Sequence, residues 1–224
     1  MIAIQRSQSL RQQVYQALRQ IILQGDLTSG ERIVETKLAK QLQVSRTPIR
    51  EAIGQLQREK LIVSNPKGGF KVATLSVEDA IQLYDCRIAL EQLAITEACL
   101  QITPSQLKQL EQYVLSAEIS QSQSSNDSYQ LLNIDYQFHH LIAESSGNQW
   151  LLTLLEQVFD KMALLRVQTT KHNPEVLEIR LEHREIYKAI AQSDSDLARK
   201  TIVEHLTASK NRVVKELQII NQAS

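Results

Sequence analysis

The chain has 224 residues, of which 42% are hydrophobic and 4% aromatic, and its formal net charge is +0. This apolar fraction is sufficient for a buried core, which excludes a wholly disordered chain. No stretch comes near the ~18 consecutive apolar residues that a membrane-spanning helix needs. The first ten residues lack the apolar run of a secretory signal, so we expect a cytoplasmic protein without a cleaved leader.

The neutral total hides two segments of opposite charge. Residues 1–74 contain 12 Lys and Arg against 5 Asp and Glu, a net charge of +7, whereas residues 75–224 contain 13 against 20, a net charge of −7. Five of the six glycines lie in the first segment and all five histidines in the second. We therefore predict two domains, 1–74 and 75–224, of which the basic one suits an anionic partner such as nucleic acid.

The spacing of apolar residues in the first segment predicts three helices and a β-hairpin. The helices cover residues 10–23, 34–42 and 45–60. Two short apolar runs, 61–63 and 70–73, flank a turn that contains Gly68 and Gly69, which is the pattern of a hairpin. Three helices followed by a hairpin predict a winged helix-turn-helix, and a short linker at 73–76 follows it.

The second segment has helical periodicity throughout, which predicts an all-α bundle of six to seven helices. The predicted helices cover 76–101, 103–120, 128–146, 149–170, 174–192 and 194–220. Residues that favour helix starts precede or open them: Ser76, Thr103, Asp127, Asn148, Asn173 and Asp194. The predicted fold class is therefore mainly α, with an N-terminal winged helix-turn-helix and a C-terminal helical bundle.

The third helix of the first segment carries the residues that we expect to contact DNA. With Ser45 as the N-cap, Arg46 and Arg50 are four residues apart and share one face of the first turns. A helix in the major groove presents its N-terminal residues to base edges, where Arg can bond bidentately to guanine O6 and N7. The hydroxyls of Ser45 and Thr47 are positioned to hold phosphates.

A ten-residue string at 44–53, Val-Ser-Arg-Thr-Pro-Ile-Arg-Glu-Ala-Ile, resembles the GntR family of bacterial transcription regulators. Together with 27–30 and 35–39, the resemblance covers about residues 10–73. It implies that Arg46 and Arg50 read bases and that the wing tip, Lys67-Gly68-Gly69, reaches into the minor groove. Some relatives carry a DNA-contacting arginine where this chain has Thr36, so we do not transfer that contact.

Four polar side chains of the second segment fall on inward-facing stripes of predicted helices. Asp135 and His139 are four residues apart on one helix, and His183 and His205 lie on the apolar faces of two later helices. One buried histidine is usually a core residue, but three with a carboxylate are harder to explain in that way. Such a set suits a divalent transition metal. The ligand types allow zinc, nickel, manganese or iron, of which we favour zinc or nickel.

The same residues carry a second resemblance, to the FCD effector domain of the FadR subfamily, over about residues 76–217. The matching positions are Tyr84 to Arg87 with Glu91, Asp135 with Phe138 and His139, Ser146 to Asn148, Glu182 with His183, and Ala198 with His205. The resemblance implies that Asp135, His139, His183 and His205 hold the metal and that a small carboxylate metabolite binds beside it. It also implies a homodimer, formed through the helical domain, on a pseudo-palindromic operator of double-stranded DNA.

Two arginines are candidate contacts for this effector. Arg87 matches an arginine that family members often place near the effector pocket, where a guanidinium can clamp a carboxylate bidentately, but a structural salt bridge to Glu91 at i+4 explains it equally well. Arg166 is a second, weaker candidate. Trp150, directly after the turn at 147–148, is expected to be a packing anchor.

The sequence therefore predicts a DNA-binding regulator whose operator affinity is controlled by a small carboxylate bound beside a divalent metal. Two alternatives stay open. One is a metal-dependent enzyme with a DNA-targeting domain, although the chain contains no HExxH motif and no obvious nucleophile–base pair, so we predict no catalytic residues. The other is a regulator in which the metal is itself the signal or is only structural.

Overall fold

The computed structural model describes residues 9–122, 128–173, 176 and 180–222. The chain divides into two compact units, Met1–Thr74 and Leu75–Ser224. Within the described ranges, no helix is long and apolar enough to cross a membrane.

The first unit combines three helices with a small sheet. Its elements are α1 (Leu10–Leu23), β1 (Arg32–Ile33), α2 (Glu35–Gln41), α3 (Arg46–Arg58), β2 (Ile62–Ser64) and β3 (Phe70–Val72). The strands are antiparallel and lie in the order β1-β3-β2. The predicted winged helix-turn-helix is therefore confirmed, and β1 pairs with the predicted hairpin as a third strand. The sequence does not predict β1, because a two-residue strand is too short to show an alternating pattern.

The packing of α1 on α3 determines which side of α3 faces outward. Both helices bury one apolar stripe, whose members are each at most 1% exposed: Leu18, Ile22, Ile49, Ile53 and Leu56. Because residues three and four apart share a face of a helix, the polar residues between these positions lie on the opposite, exposed side. That side carries the arginines that we expect to read DNA.

The second unit is a helical bundle, as predicted. Its described helices are α4 (Val77–Gln101), α5 (Pro104–Ser122), α6 (Ser128–Ser145), α7 (Gln149–Thr170), α8 (Arg180–Ala191) and α9 (Ser195–Gln222). A capping box opens α4, since Ser76 and Asp79 each accept a hydrogen bond from the other's backbone N–H. The predicted helix start at Asp127, and most of the first residues of the predicted helix 174–192, lie outside the described residues.

Two buried clusters form most of the bundle's core. The larger one joins α4, α5, α6, α8 and α9 around Phe138, Ile186 and Ile202. The second contains Tyr84, Leu165 and Val213, from α4, α7 and α9. The predicted metal ligands belong to α6, α8 and α9, so the same packing that buries Phe138 brings these three helices together.

Trp150 does not act as a packing anchor within the single chain, because its side chain is 84% exposed. Three leucines are also unusually exposed on α4 and α7. We call the four side chains the α4/α7 apolar face: Leu93 (47% exposed), Leu100 (77%), Trp150 and Leu154 (50%). The end of α4 lies next to the start of α7, because Gly147 (φ +69°) approaches the side chain of Gln101 so closely that a Cβ would clash with it.

Candidate functional site

The predicted DNA contacts of α3 lie on its exposed N-terminal turns. Ser45 occupies the N-cap position, but its side chain makes no capping hydrogen bond. Ser45, Arg46, Thr47 and Arg50 are all exposed. The first turns of α3 therefore present two hydroxyls and two guanidinium groups on the surface.

The wing tip is a tight turn between β2 and β3. Asn65 and Gly69 are joined by a backbone hydrogen bond of 2.9 Å, and the N–H of Gly68 donates to the carbonyl of Asn65 at 2.8 Å. Gly68 and Gly69 have φ angles of +90° and +81°, which favour glycine. A Cβ on Gly68 would have nothing within 4 Å, and Lys67 is exposed, so this backbone is accessible to a partner.

One acidic residue of this surface does not follow from the sequence patterns. Glu35, in the first turn of α2, accepts hydrogen bonds through its Oε2 from Nη2 of Arg46 at 3.1 Å and from Nε of Arg50 at 2.7 Å. The bond from Arg50 is the largest cause of the lowered pKa of the Glu35 carboxyl. Spacing rules within one helix give no signal for this contact, because the partners lie on different helices.

Asp135, His139, His183 and His205 meet in the interior of the bundle. One possible ligand atom from each lies within 4.8 Å of the other three, and all four residues are at most 2% exposed. His139 Nε2 lies 3.1 Å from His205 Nε2, and Asp135 Oδ1 lies 3.4 Å from His183 Nε2. Donor atoms that bind one ion at about 2.0–2.2 Å are separated by roughly these distances.

Two glutamates outside this cluster orient two of its imidazoles. Glu91 lies 2.5 Å from Nδ1 of His139, and Glu182 lies 2.7 Å from Nδ1 of His205. Burial raises the pKa of both carboxyls, but the nearby cations and hydrogen-bond donors outweigh burial and lower each pKa to about 2. Both glutamates are therefore ionised at neutral pH and can only accept hydrogen bonds.

This arrangement determines which ring nitrogens face the cluster. Because a glutamate accepts from each Nδ1, the Nε2 atoms of His139 and His205 are the ring nitrogens left to face the cluster, and they lie 3.1 Å apart. Within the described chain, Asp135 Oδ1 and both ring nitrogens of His183 have no hydrogen-bond partner. Three imidazoles and one carboxylate converge in this buried space, and a donor set of this kind fits a divalent metal ion.

The two predicted effector arginines are buried next to the cluster. Arg87 is 1% exposed, and its Nε donates to Glu91 at 2.5 Å, which is the salt bridge that the sequence allows. Its Nη1 has no hydrogen-bond partner among the described residues. Arg166 donates to Asp135. Burial raises the pKa of Asp135, but Arg166 and His139 outweigh burial and hold it well below its usual range.

We expect the metal-free protein to lose stability as the pH falls from about 6.5 to about 3. Burial and the neighbouring His183 and His139 lower the pKa of His205 to about 3. Between these values the unfolded chain binds a proton at this position that the folded chain does not, so acid favours unfolding. Urea denaturation at several pH values measures this loss. His205→Gln should reduce the slope, and an unchanged slope would contradict the assignment.

Two family models match the chain. The model of bacterial regulatory proteins of the gntR family matches residues 10–72, and the FCD domain model matches residues 82–208. The exposed face of α3 and the wing tip lie in the first range. The buried cluster of Asp135, His139, His183 and His205 lies in the second.

Individual proteins agree with the family models. HTH-type transcriptional regulator YdhC of Bacillus subtilis (strain 168) is 31% identical over 193 residues, 86% of each chain. HTH-type transcriptional repressor RspR of Escherichia coli (strain K12) is 27% identical over 201 residues, 89% of this chain and 87% of the relative. The solved structure of E. coli McbR/YncC has a TM-score of 0.79 and 25% identity, covering 90% of this chain and 95% of that one. These relatives are regulators rather than enzymes, and the chain belongs to the GntR family of DNA-binding transcription regulators, with the FCD-type architecture.

Proposed function

We propose that a small carboxylate metabolite, bound beside a divalent metal ion in the helical unit, controls the affinity of this regulator for its operator. The observation that carries the metal site is the buried convergence of three imidazoles and one carboxylate. Asp135 Oδ1 and both ring nitrogens of His183 have no hydrogen-bond partner among the described residues. The bound ion supplies positive charge and a coordination position for an anion. A set of three imidazoles and one carboxylate suits zinc or nickel, and it also permits manganese or iron.

The charge balance around the cluster supports an anionic effector. Each carboxylate around the cluster already accepts a hydrogen bond from an arginine. The pairs are Asp135 with Arg166, Glu91 with Arg87, and Glu182 with Arg212, the last through two hydrogen bonds of 3.0 Å. These pairs leave the charge of a divalent ion without compensation, which favours a negatively charged ligand. The unpartnered Nη1 of Arg87 and the guanidinium of Arg166 are the proposed effector contacts.

Helix α7 offers a route from the cluster to the linker. Arg166 bonds Asp135, and two residues later Gln168 donates to the backbone carbonyl of Leu75 at 3.4 Å. Leu75 also packs against the buried cluster that contains Leu165. A ligand that changes the environment of Asp135 can therefore shift α7 and the start of this unit, and so alter the spacing of two recognition helices in a dimer.

On DNA, we propose that Arg46 and Arg50 contact base edges and that Ser45 and Thr47 hold phosphates. The wing tip, Lys67-Gly68-Gly69, is proposed to enter the minor groove. A regulator that binds bacterial chromosomal DNA works in the cytoplasm, so this location is part of the proposal.

The second partner is a second copy of the chain, because a pseudo-palindromic operator has two half-sites and each needs a recognition helix. We propose that the copies meet through the α4/α7 apolar face. Exposed tryptophan and leucine side chains on adjacent helices are typical of the centre of a protein interface.

The protein is expected to bind about one divalent ion per chain, and His183→Ala should abolish this binding because it removes one of four ligands. Elemental analysis of the dialysed proteins measures the stoichiometry. His140→Ala is the matched control, since His140 neighbours His139 on α6 but contacts Glu156 instead.

The same proteins test the effector. Small carboxylic acids should raise the unfolding temperature of metal-loaded wild type and not that of His183→Ala, because a ligand stabilises the folded state that binds it. If the wild-type protein contains no divalent metal, the proposed metal site is wrong. Equal responses of the two proteins to an acid would contradict a shared site for metal and effector.

Arg50→Ala is expected to weaken binding to a DNA site selected from random sequence by about 1–3 kcal/mol and to relax the preference at one base position. Arg58→Ala removes the same charge from the far end of α3, so it should weaken binding less and equally for all sequences. Fluorescence anisotropy with the selected and a scrambled duplex measures both effects. Identical behaviour of the two variants would contradict base reading by Arg50.

Trp150→Asp is expected to convert a dimer into a monomer, because a charge in the middle of an apolar interface is desolvated without a partner. Sedimentation velocity measures the change. Ile219→Asp introduces the same charge at an exposed apolar position of α9 (41% exposed) and should leave the dimer intact. If the Trp150→Asp protein remains dimeric, the dimer interface does not lie on the α4/α7 apolar face.

A further inference from the structure

We propose that Glu35 determines the DNA specificity of this regulator by holding Arg46 and Arg50 in position before DNA is bound. The inference rests on the proposed role of these two arginines as base readers. Glu35 itself would not contact a base, so it is a positioning residue.

A single carboxylate oxygen joins the two arginines. Glu35 Oε2 lies 3.1 Å from Arg46 Nη2 and 2.7 Å from Arg50 Nε. The side chain of Glu35 is 20% exposed, whereas those of Arg46 and Arg50 are 55% and 60% exposed. The carboxylate therefore lies at the base of the DNA-facing surface, and the two arginine side chains extend from it toward solvent.

The two hydrogen bonds leave different groups of each guanidinium available. Arg50 is held through Nε, so neither of its two terminal Nη groups is engaged by Glu35. These terminal groups form the pair that can bond guanine O6 and N7 together. Arg46 is held through one terminal group, Nη2, so it must release Glu35 before both of its terminal groups can contact a base. Arg50 is thus oriented in advance for bidentate readout.

This orientation acts differently on specific and non-specific DNA. Non-specific binding depends mainly on phosphate charge, which a flexible arginine satisfies as well as a rigid one. Specific binding needs two donors at fixed positions, and a side chain that is already ordered loses less entropy when it makes these bonds. The negative charge of Glu35 weakens binding to all DNA, whereas its orienting effect strengthens binding only where a matching base accepts. Because the charge effect is the same for both kinds of DNA, it cancels in the ratio of specific to non-specific affinity, and the orienting effect alone raises this ratio.

The experiment begins with a site selected from random duplex DNA by the wild-type protein. Dissociation constants are then measured for this site and for a scrambled duplex of the same length, at one salt concentration. The variants are Glu35→Gln, Glu35→Asp, Arg50→Ala and Glu51→Gln. Glu51 is the matched control because it is an exposed carboxylate on α3 whose arginine contact is Arg11 at 3.8 Å, not a proposed base reader.

We expect Glu35→Gln to lower the specific to non-specific affinity ratio about tenfold, the scale of losing a hydrogen bond to a charged group. Glu35→Gln should also weaken the base preference at the same operator position at which Arg50→Ala weakens it. Glu51→Gln should leave the ratio within about twofold, because it removes the same charge without touching a reader. Glu35→Asp keeps the charge but shortens the side chain, so it should retain wild-type affinity for scrambled DNA and still lose part of the ratio.

The outcomes separate this inference from the proposed function. If Arg50→Ala leaves the preferred sequence unchanged, Arg50 does not read a base, and both the proposed function of this face and the inference are wrong. If Arg50→Ala relaxes the preference but Glu35→Gln shifts both affinities by the same factor as Glu51→Gln, Glu35 contributes charge alone and only the inference is overturned. Thermal unfolding verifies that Glu35→Gln is folded, and Glu35→Asp decides the question if it is not.

Discussion

A carboxylate inside a protein is stable only when a cation or hydrogen-bond donors compensate its charge, and the helical unit depends on this constraint. Three acidic residues face the interior around one cluster, and each is paired with an arginine: Asp135 with Arg166, Glu91 with Arg87, and Glu182 with Arg212. The first pair connects α6 with α7 and the third connects α8 with α9, whereas the second lies within α4, which Glu91 links to α6 through His139. Since an arginine compensates each acid, imidazole nitrogens can gather at the centre of the bundle.

Local patterns in the sequence predict much of this architecture. Helix α7 occupies the predicted range 149–170, because a capping residue, Asn148, and an apolar stripe both mark it. The four clustered residues are predictable because each lies on an inward-facing stripe of its own helix, and a bundle brings such stripes together. A carboxylate at i−4 from His139 strengthens this prediction.

Long-range polar contacts are not predictable in the same way. The bond between Glu91 and His139 joins positions 48 residues apart, and nothing in either local pattern indicates which buried acid meets which imidazole. Arg87 illustrates the same limit, since its sequence context fits an ion pair and an effector contact equally, and the structure shows the ion pair. The exposure of Trp150 is a third case, because apolar periodicity does not distinguish a side chain that packs within the chain from one that stays on its surface.

Helix α4 runs from the linker past the buried cluster to the apolar face proposed for dimerisation. Its first turn, closed by Ser76 and Asp79, adjoins the linker; its middle carries Arg87 and Glu91; and its last turns carry Leu93 and Leu100. Its 25 residues form a rod about 37 Å long at 1.5 Å per residue. A tilt of about 3° around the centre of such a rod moves each end by roughly 1 Å, a displacement within the usual range of helix shifts at interfaces. As a lever, α4 would deliver one rearrangement at the buried cluster simultaneously to the linker and to the α4/α7 apolar face.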